Sequence, residues 1–409
     1  SGGDFSLQPS GGNWSGTEMV PNAGYRDTSA WYHHVLTFDS TNATQADRLK
    51  IYVNGERITS WYTENVTAGI GASEDFSFIN QSGVVQAFGG LSGKGHGTEG
   101  SDVQLAEIVF NDGQSYGPDS YGETKNGVWI PKDPSGLTFG DNGYWLKMAS
   151  GAIGTDSSGN GNNFTVANIA AHDVMLDSPT FGSEGSANFP AWSPLIKGAN
   201  NLSEGNARFD GTGNAKGAMT SWAIPTATKY YVEALIKIQT GFNFTFGIAN
   251  PQFNLDANDE DDATMNGILF RAQSAGDWNT CSLTNGSRGS FSSDVGQTAT
   301  RVLGMTVNRV DNEIKMYLDN SLLYTISISA TEVYYIVTSH AGGAQAANHN
   351  NINAGQDSTG AGDFSANTAT DENGFGNFQH APPSGFLALC SGNLPTAAAV
   401  DPAQTDDDY

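Results

Sequence analysis

Positive charge is scarce in this sequence. It has 18 Lys and Arg against 43 Asp and Glu, a net charge of -25 over 409 residues, and a field of that sign repels a phosphate backbone, which argues against nucleic-acid binding. Cysteine is scarcer still: Cys281 and Cys390 cannot form a disulfide framework, so buried free thiols are expected. No apolar run reaches membrane-spanning length, no segment resembles a secretion signal, and none keeps a helical period. Membrane insertion is therefore not expected. The chain begins at Ser1 and its strand signals start near Tyr25, which reads as a processed or partial product.

Catalytic motifs are missing as well. There is no Gly-x-Ser-x-Gly elbow, no His-Glu-x-x-His and no phosphate-binding Gly loop. His33, His34, His96, His172, His340, His349 and His380 show no metal-ligand spacing. Glycoside hydrolysis needs two carboxylates facing one groove, whereas Glu107 in Leu105–Phe110 is a lone carboxylate that reads as a solvent-face residue. No enzymatic activity is expected.

What the sequence has is turn residues and short alternating runs. It contains 51 Gly, with 38% hydrophobic and 11% aromatic residues, a balance that suits turn-dense β structure around a packed core. One device occurs twice. Leu49-Lys50-Ile51-Tyr52-Val53 breaks at Asn54-Gly55 and resumes at Glu56, and Glu313–Leu318 breaks at Asp319-Asn320 and resumes at Ser321. Period-two alternation buries one face of a strand, and Asn-Gly or Asp-Asn supplies the positive-φ residues of a tight hairpin. Each copy follows an apolar run, Trp31–Asp39 or Arg301–Asn308, that can pair with it.

The expected fold is all-β: two antiparallel β-sandwiches of jelly-roll type joined by a Gly/Ser/Asn-rich connector. Residues 1–114 form the first, with strands at 30–38, 49–53, 56–61, 76–79, 84–88 and 103–110. Residues 115–205 form an extended connector held by apolar anchors at 129–131, 144–146 and 189–192. Residues 206–395 form the second sandwich, in which the polar stretch 341–374 reads as a long loop and 376–390 as a final strand-like segment. Residues 396–409 are an acidic tail.

These residues carry a resemblance. Residues 30–39, 48–55 and 105–108 resemble the second half of a laminin-G-like or concanavalin-A-like lectin/glucanase jelly roll whose early strands are absent, and 230–236, 246–249 and 311–317 are similar to a SPRY-type sandwich. Gly154–Phe164, with Asp177–Thr180 and Pro382–Cys390, resembles large virion proteins of marine tailed bacteriophages that carry these two domains in series. The resemblance implies a virion protein, on a tail fibre or surface appendage outside the cell, that binds host-surface polysaccharide. Other virion proteins and further copies of the chain are the implied partners. A capsid-surface decoration protein and a glycan depolymerase are the alternatives.

Sugar binding calls for an aromatic platform beside planar polar groups. Trp61-Tyr62, just past the first hairpin, and Asp277-Trp278-Asn279 are the candidates, while Trp31 and Trp129 read as core or anchor residues. For calcium, Asp156, Ser158 and Asn160 place oxygens at alternating positions before a glycine, but Ala167 stands where an EF-hand's closing Glu would be, and Asx turns explain the pattern equally. The acidic run Asp256, Asp259, Glu260, Asp261 and Asp262 reads as a solvated loop or a weak calcium site. A first sandwich without its early strands leaves edges that a second copy or a donated strand would cover.

Overall fold

The computed structural model describes residues 18–25, 30–65, 70–75, 79–83, 86–88, 104–125, 128–179, 187–198, 201–210, 216–238, 242–255, 267–273, 279–284, 287–288, 292–294, 299–342 and 349–395. Among them are strands and short 3-10 turns, with no α-helix, and no helix long and apolar enough to cross a membrane. Two compact units are present, Ser1–Val174 and Met175–Tyr409. The segment 115–205, expected as one connector, is thus shared between them.

Unit 1 contains β1 (Glu18–Pro21), β2 (His34–Phe38), β3 (Leu49–Val53), β4 (Glu56–Arg57), β5 (Trp61–Asn65), β6 (Ile108–Phe110), β7 (Gly122–Lys125), β8 (Val128–Pro131) and β9 (Tyr144–Leu146). They pair as β1-β5, β2-β3-β4, β6-β9 and β7-β8, all antiparallel. Of the strands expected at 76–79, 84–88 and 103–110, only β6 forms among the described residues; 76–78, 84, 85 and 103 lie outside them.

The first hairpin follows its sequence code. Alternation buries Leu49, Ile51 and Val53, and Asn54 at φ 51° and Gly55 at φ 82° turn the chain. The turn is then fastened from behind. Asn54 N–H donates to the His33 carbonyl at 2.8 Å, and Asn54 Oδ1 accepts from His33 N–H at 2.8 Å. The Trp129 ring of β8 lies so close to Gly55 and Gly122 that a Cβ at either would fall 2.5 or 2.6 Å from it. Its indole N–H donates to His33 Nδ1 at 2.8 Å, and burial, helped by His34, holds the His33 pKa below its ordinary value. Trp129 is therefore the anchor it was expected to be, inside a β-hairpin and not on an extended connector.

Unit 2 is a two-sheet sandwich. Its strands are β10 (Trp192–Lys197), β11 (Asn201–Ser203), β12 (Arg208–Asp210), β13 (Lys216–Ala223), β14 (Lys229–Ile238), β15 (Phe242–Ala249), β16 (Gly267–Gln273), β17 (Asn279–Thr284), β18 (Ser287–Arg288), β19 (Ser292–Asp294), β20 (Ala299–Asn308), β21 (Glu313–Leu318), β22 (Ser321–Ser327), β23 (Tyr335–Gly342), β24 (His349–Asn353) and β25 (Leu387–Ala388). One sheet runs β10-β13-β23-β15-β16-β17-β18, with β19 on β17; the other runs β11-β12-β24-β14-β20-β21-β22, with β25 on β14. Among the described strands, only the β14–β25 pairing is parallel. Between the sheets Trp192, Phe209, Val232, Ala234, Ile236, Phe246, Ile248, Phe270, Ile336 and Ile352 form the main core.

The second hairpin matches the first. Asp319 at φ 45° and Asn320 at φ 66° make the turn, and β20 pairs with β21 as β2 pairs with β3. On β14 every residue from Tyr230 to Ile236 is buried. Its even-numbered side chains enter the core, and its odd-numbered ones lie under the segment 354–390, where Gln379 and His380 bond to Glu233 and the Phe378 ring meets Tyr231 at 5.4 Å.

The reading of 341–374 as a long loop is corrected. It holds β24, a central strand whose five residues, His349-Asn350-Asn351-Ile352-Asn353, are all buried. Apolar alternation could not reveal it, because polar groups line both of its faces. Asn350 Nδ2 donates across the core to Thr338 Oγ1 at 2.8 Å, and Asn353 Nδ2 donates to Glu233 Oε2 at 3.0 Å. The segment 376–390 holds only the two residues of β25 as strand, while Phe378, Leu389 and Cys390 are fully buried. Cys390 is the expected buried free thiol, its pKa pushed up to about 11 by burial; the Cys281 side chain lies outside the described residues.

Candidate functional site

Trp61 and Tyr62 begin β5, whose register sets Trp61 opposite Pro21. Their position is inside the strand Trp61–Asn65, just past the first hairpin. It also separates them, because successive strand side chains point to opposite faces. Trp61 packs on the small core of Met19, Leu49, Ile51 and Ile70. Tyr62 is 80% exposed. The two rings therefore cannot form one platform.

Trp61 does more than cover the core. It walls an open groove of about 190 Å³ whose floor is Met19, Leu49, Ile51 and Ile58, and whose rim carries Lys50, Arg57 and Thr59. Arg57 is held in place at that rim: Nη1 meets Asp47 Oδ1 at 2.8 Å and Nη2 donates to the Ala46 carbonyl at 3.0 Å. An apolar floor, one indole wall and one fixed donor, Arg57, at the rim suit a ligand with a CH face and hydroxyl edges. Sequence reasoning found Trp61 but missed Lys50, Arg57 and Thr59. The signal was available for Arg57, which closes β4 two residues before Thr59.

The Asp156 loop is committed internally. Asp156 Oδ1 accepts from Trp145 N–H at 2.9 Å and Ser158 N–H at 2.8 Å, and Oδ2 accepts from the Ser158 hydroxyl at 2.8 Å and Asn162 N–H at 2.9 Å. These donors hold its pKa below the ordinary value against the opposing effect of burial. Asn160 spends its Nδ2 on the carbonyls of Gly140 and Gly143. Asp156, Ser158 and Asn160 thus form a stack of Asx turns that closes the loop onto β9, and this carboxylate does not fit a calcium ligand. No group of three or more His, Cys, Asp or Glu that could hold a metal ion occurs among the described residues. Asp256, Asp259, Glu260, Asp261, Asp262, Asp277 and Trp278 lie outside those residues; Asn279 opens β17, opposite Gln273.

Two further carboxyls have raised pKa values. Glu107, just before β6, is pushed up by the groups that crowd its carboxyl; Trp145 and Lys147 oppose that effect and Asp133 adds to it. Asp133 is occupied as the cap of the turn Pro134–Gly136, accepting from Ser135 N–H at 2.8 Å. In unit 2 burial raises Glu233 to about 7 against four donors: the Tyr231 hydroxyl at 3.0 Å, Asn353 Nδ2 at 3.0 Å, Gln379 N–H at 2.9 Å and His380 N–H at 2.8 Å. This enclosed carboxyl fastens segment 354–390 to the sheet.

No family model matches the chain, and no curated protein matches it. Solved structures do. The TRIM65 PSpry domain aligns with 40% of this chain and 89% of its own length, at 14% identity and a TM-score of 0.33. The potassium-bound carbohydrate recognition domain of Emp46p aligns with 38% of this chain and 85% of its own, at 14% identity and a TM-score of 0.31. The carbohydrate-binding module CBM66 from Bacillus subtilis aligns with 40% of this chain and 93% of its own, at 12% identity and a TM-score of 0.27.

Proposed function

We propose that this chain is a non-catalytic carbohydrate-binding β-protein whose saccharide site is the Trp61 groove of unit 1. One observation carries the proposal: a half-buried indole walls an open groove, over an apolar floor and under a rim of Lys50, Arg57 and Thr59. Ring stacking on a sugar CH face and donors to its hydroxyls are individually modest, so useful attachment requires several copies on one surface. We place such copies on a phage virion, as a tail-fibre or appendage component outside the host cell that self-associates and meets host polysaccharide. The resemblance of 154–164, 177–180 and 382–390 to virion proteins supports that placement. A non-catalytic role is supported by Glu107, whose one carboxylate neighbour among the described residues, Asp133, caps a turn.

The test is a glycan array probed with the full chain, followed by calorimetry on its best ligand. Trp61→Leu keeps apolar packing and removes the stacking ring, so affinity falls about tenfold or more while the melting temperature changes little. Tyr62→Ala, on the opposite face, leaves affinity unchanged. Unchanged affinity in a folded Trp61→Leu variant would remove the groove from the account, and loss on Tyr62→Ala alone would move the site to the other face of β5. Sedimentation of the full chain as a dispersed monomer would contradict self-association.

A further inference from the structure

One sheet of unit 2 ends in an unguarded strand. Sheet edges invite pairing with another chain, and proteins blunt them with charge, proline, irregular register or shortness. The other ends of the two sandwich sheets are blunted in these ways: β10 carries Pro194, Lys197 and a shifted register, β11 has three residues, and β18 has two, one of them Arg288. β22 is not. Its seven residues, Ser321–Ser327, hold no charge, proline or glycine, and no described strand lies beyond it. Leu323 is an extra residue where the register shifts against Met316 and Tyr317, which confines the irregularity to one end and leaves 324–327 in a regular ladder on β21.

The hydrogen-bond phase of that ladder fixes what the edge offers. Ile328 N–H donates to the Asn312 carbonyl at 2.9 Å, and backbone groups alternate in direction along an antiparallel strand. Tyr324 and Ile326 therefore turn theirs to β21, and Thr325 and Ser327 turn theirs outward. The side chains alternate too. Tyr324 and Ile326 are half-buried against the main core, with the Tyr324 ring 6.2 Å from that of Phe270, whereas Thr325 and Ser327 are exposed.

Charge and symmetry select the occupant. A chain of net charge -25 repels a second molecule of itself, and does so least where charge is absent or balanced. β22 has none, and charged side chains beside it are paired, Lys315 Nζ with Glu313 Oε1 at 2.9 Å and Arg301 Nε with Asp319 Oδ2 at 3.5 Å. A two-fold axis at Thr325 fits the phase of the ladder. It joins the outward backbone groups of Thr325 to those of Thr325 in the second molecule, and it sets each Tyr324 opposite the other molecule's Ile326. Thr on Thr and aromatic on β-branched are favourable cross-strand pairs. Such a contact uses the same patch on both molecules, so it closes at a dimer.

We infer that β22 is the self-association surface of this chain, pairing antiparallel with β22 of a second molecule about a two-fold axis at Thr325. The inference rests on the proposed self-association and names its surface; it does not depend on the Trp61 groove.

Sedimentation velocity of the full chain from about 1 to 200 μM should show a monomer–dimer equilibrium with a micromolar dissociation constant, as a short interface gives. Thr325→Lys and Thr325→Glu each set like charges face to face across the axis, at an exposed position. Each should weaken the dimer about tenfold or more and leave the melting temperature of the dilute monomer within about 2 °C. Mixed in equal amounts, the two variants should recover the dimer, because Lys then meets Glu, and a folding defect could not produce that recovery. A dimer that persists in both single variants would leave self-association standing and overturn this surface. Failure of the mixture to recover would overturn the pairing at Thr325, and a full chain that stays monomeric throughout would overturn both the surface and the self-association.

Discussion

The two hairpins share a code and differ in what surrounds them. β3-β4 turns on Asn54-Gly55 and β21-β22 on Asp319-Asn320, both with positive φ at the two turn residues, and each is paired upstream to an apolar strand. The second copy sits in an eight-stranded sheet, and Val302, Leu303, Met305 and Ile314 beneath it are buried. The first copy rests on a core of four buried residues and the Trp129 ring, leaving Leu36 38% exposed and Trp61 at the wall of a groove. Local turn chemistry therefore determines the hairpin, and the depth of its cover determines whether a face is free to bind.

If cover makes the difference, the deepest support should be the most costly to remove. Glu233→Ala would strand the Tyr231 hydroxyl and two backbone N–H groups and leave Asn353 Nδ2 with the Asn377 carbonyl alone, and should cost about 4 kcal/mol or more. Denaturant unfolding measures that loss, and hydrogen exchange should localise it to β14 and β24. Trp129→Ala should cost unit 1 about 3 kcal/mol, by emptying the space between Gly55 and Gly122 and leaving His33 Nδ1 without its donor. A change below 1 kcal/mol would mean that the first hairpin does not depend on this anchor.

The same comparison has a pH arm. Glu233 has an ordinary pKa of 4.5 and is raised to about 7 in the folded chain. The folded state therefore binds more protons than the unfolded state between those values. Stability linked to this group is complete below about pH 4.5 and declines as pH rises toward 7, by roughly 3 kcal/mol. Glu233→Gln should flatten that slope in a melting-temperature profile of unit 2, and an unchanged slope would assign the dependence to other groups. The smallest effect is expected at the turn itself: Asn320→Gly, which eases the positive φ of 66°, should change stability by less than about 1 kcal/mol.

Much of this was legible in the sequence, wherever one chemical rule dominated. Asn54-Gly55 and Asp319-Asn320 marked their turns, alternation marked β3 and β21, and isolated aromatics such as Trp129 and Trp192 marked anchors. β24 was hidden because its burial rests on hydrogen bonds to Thr338, on the facing sheet, and to Glu233, 120 residues away, and no hydropathy pattern encodes such partners. The candidate site was half visible. Trp61 stands out by type, whereas Arg57 gains its meaning only from contacts with Asp47 and Ala46. Asp156 looked like a ligand by spacing, and only the count of donors on its two oxygens shows it occupied.

Hydrogen exchange of the full chain, with and without the best glycan from the array, tests the central claim most directly. The account predicts new protection along 46–62, at the groove formed by β3, β4 and β5, with no change along the hairpin β21-β22. Protection along β21-β22 with none along 46–62 would contradict it.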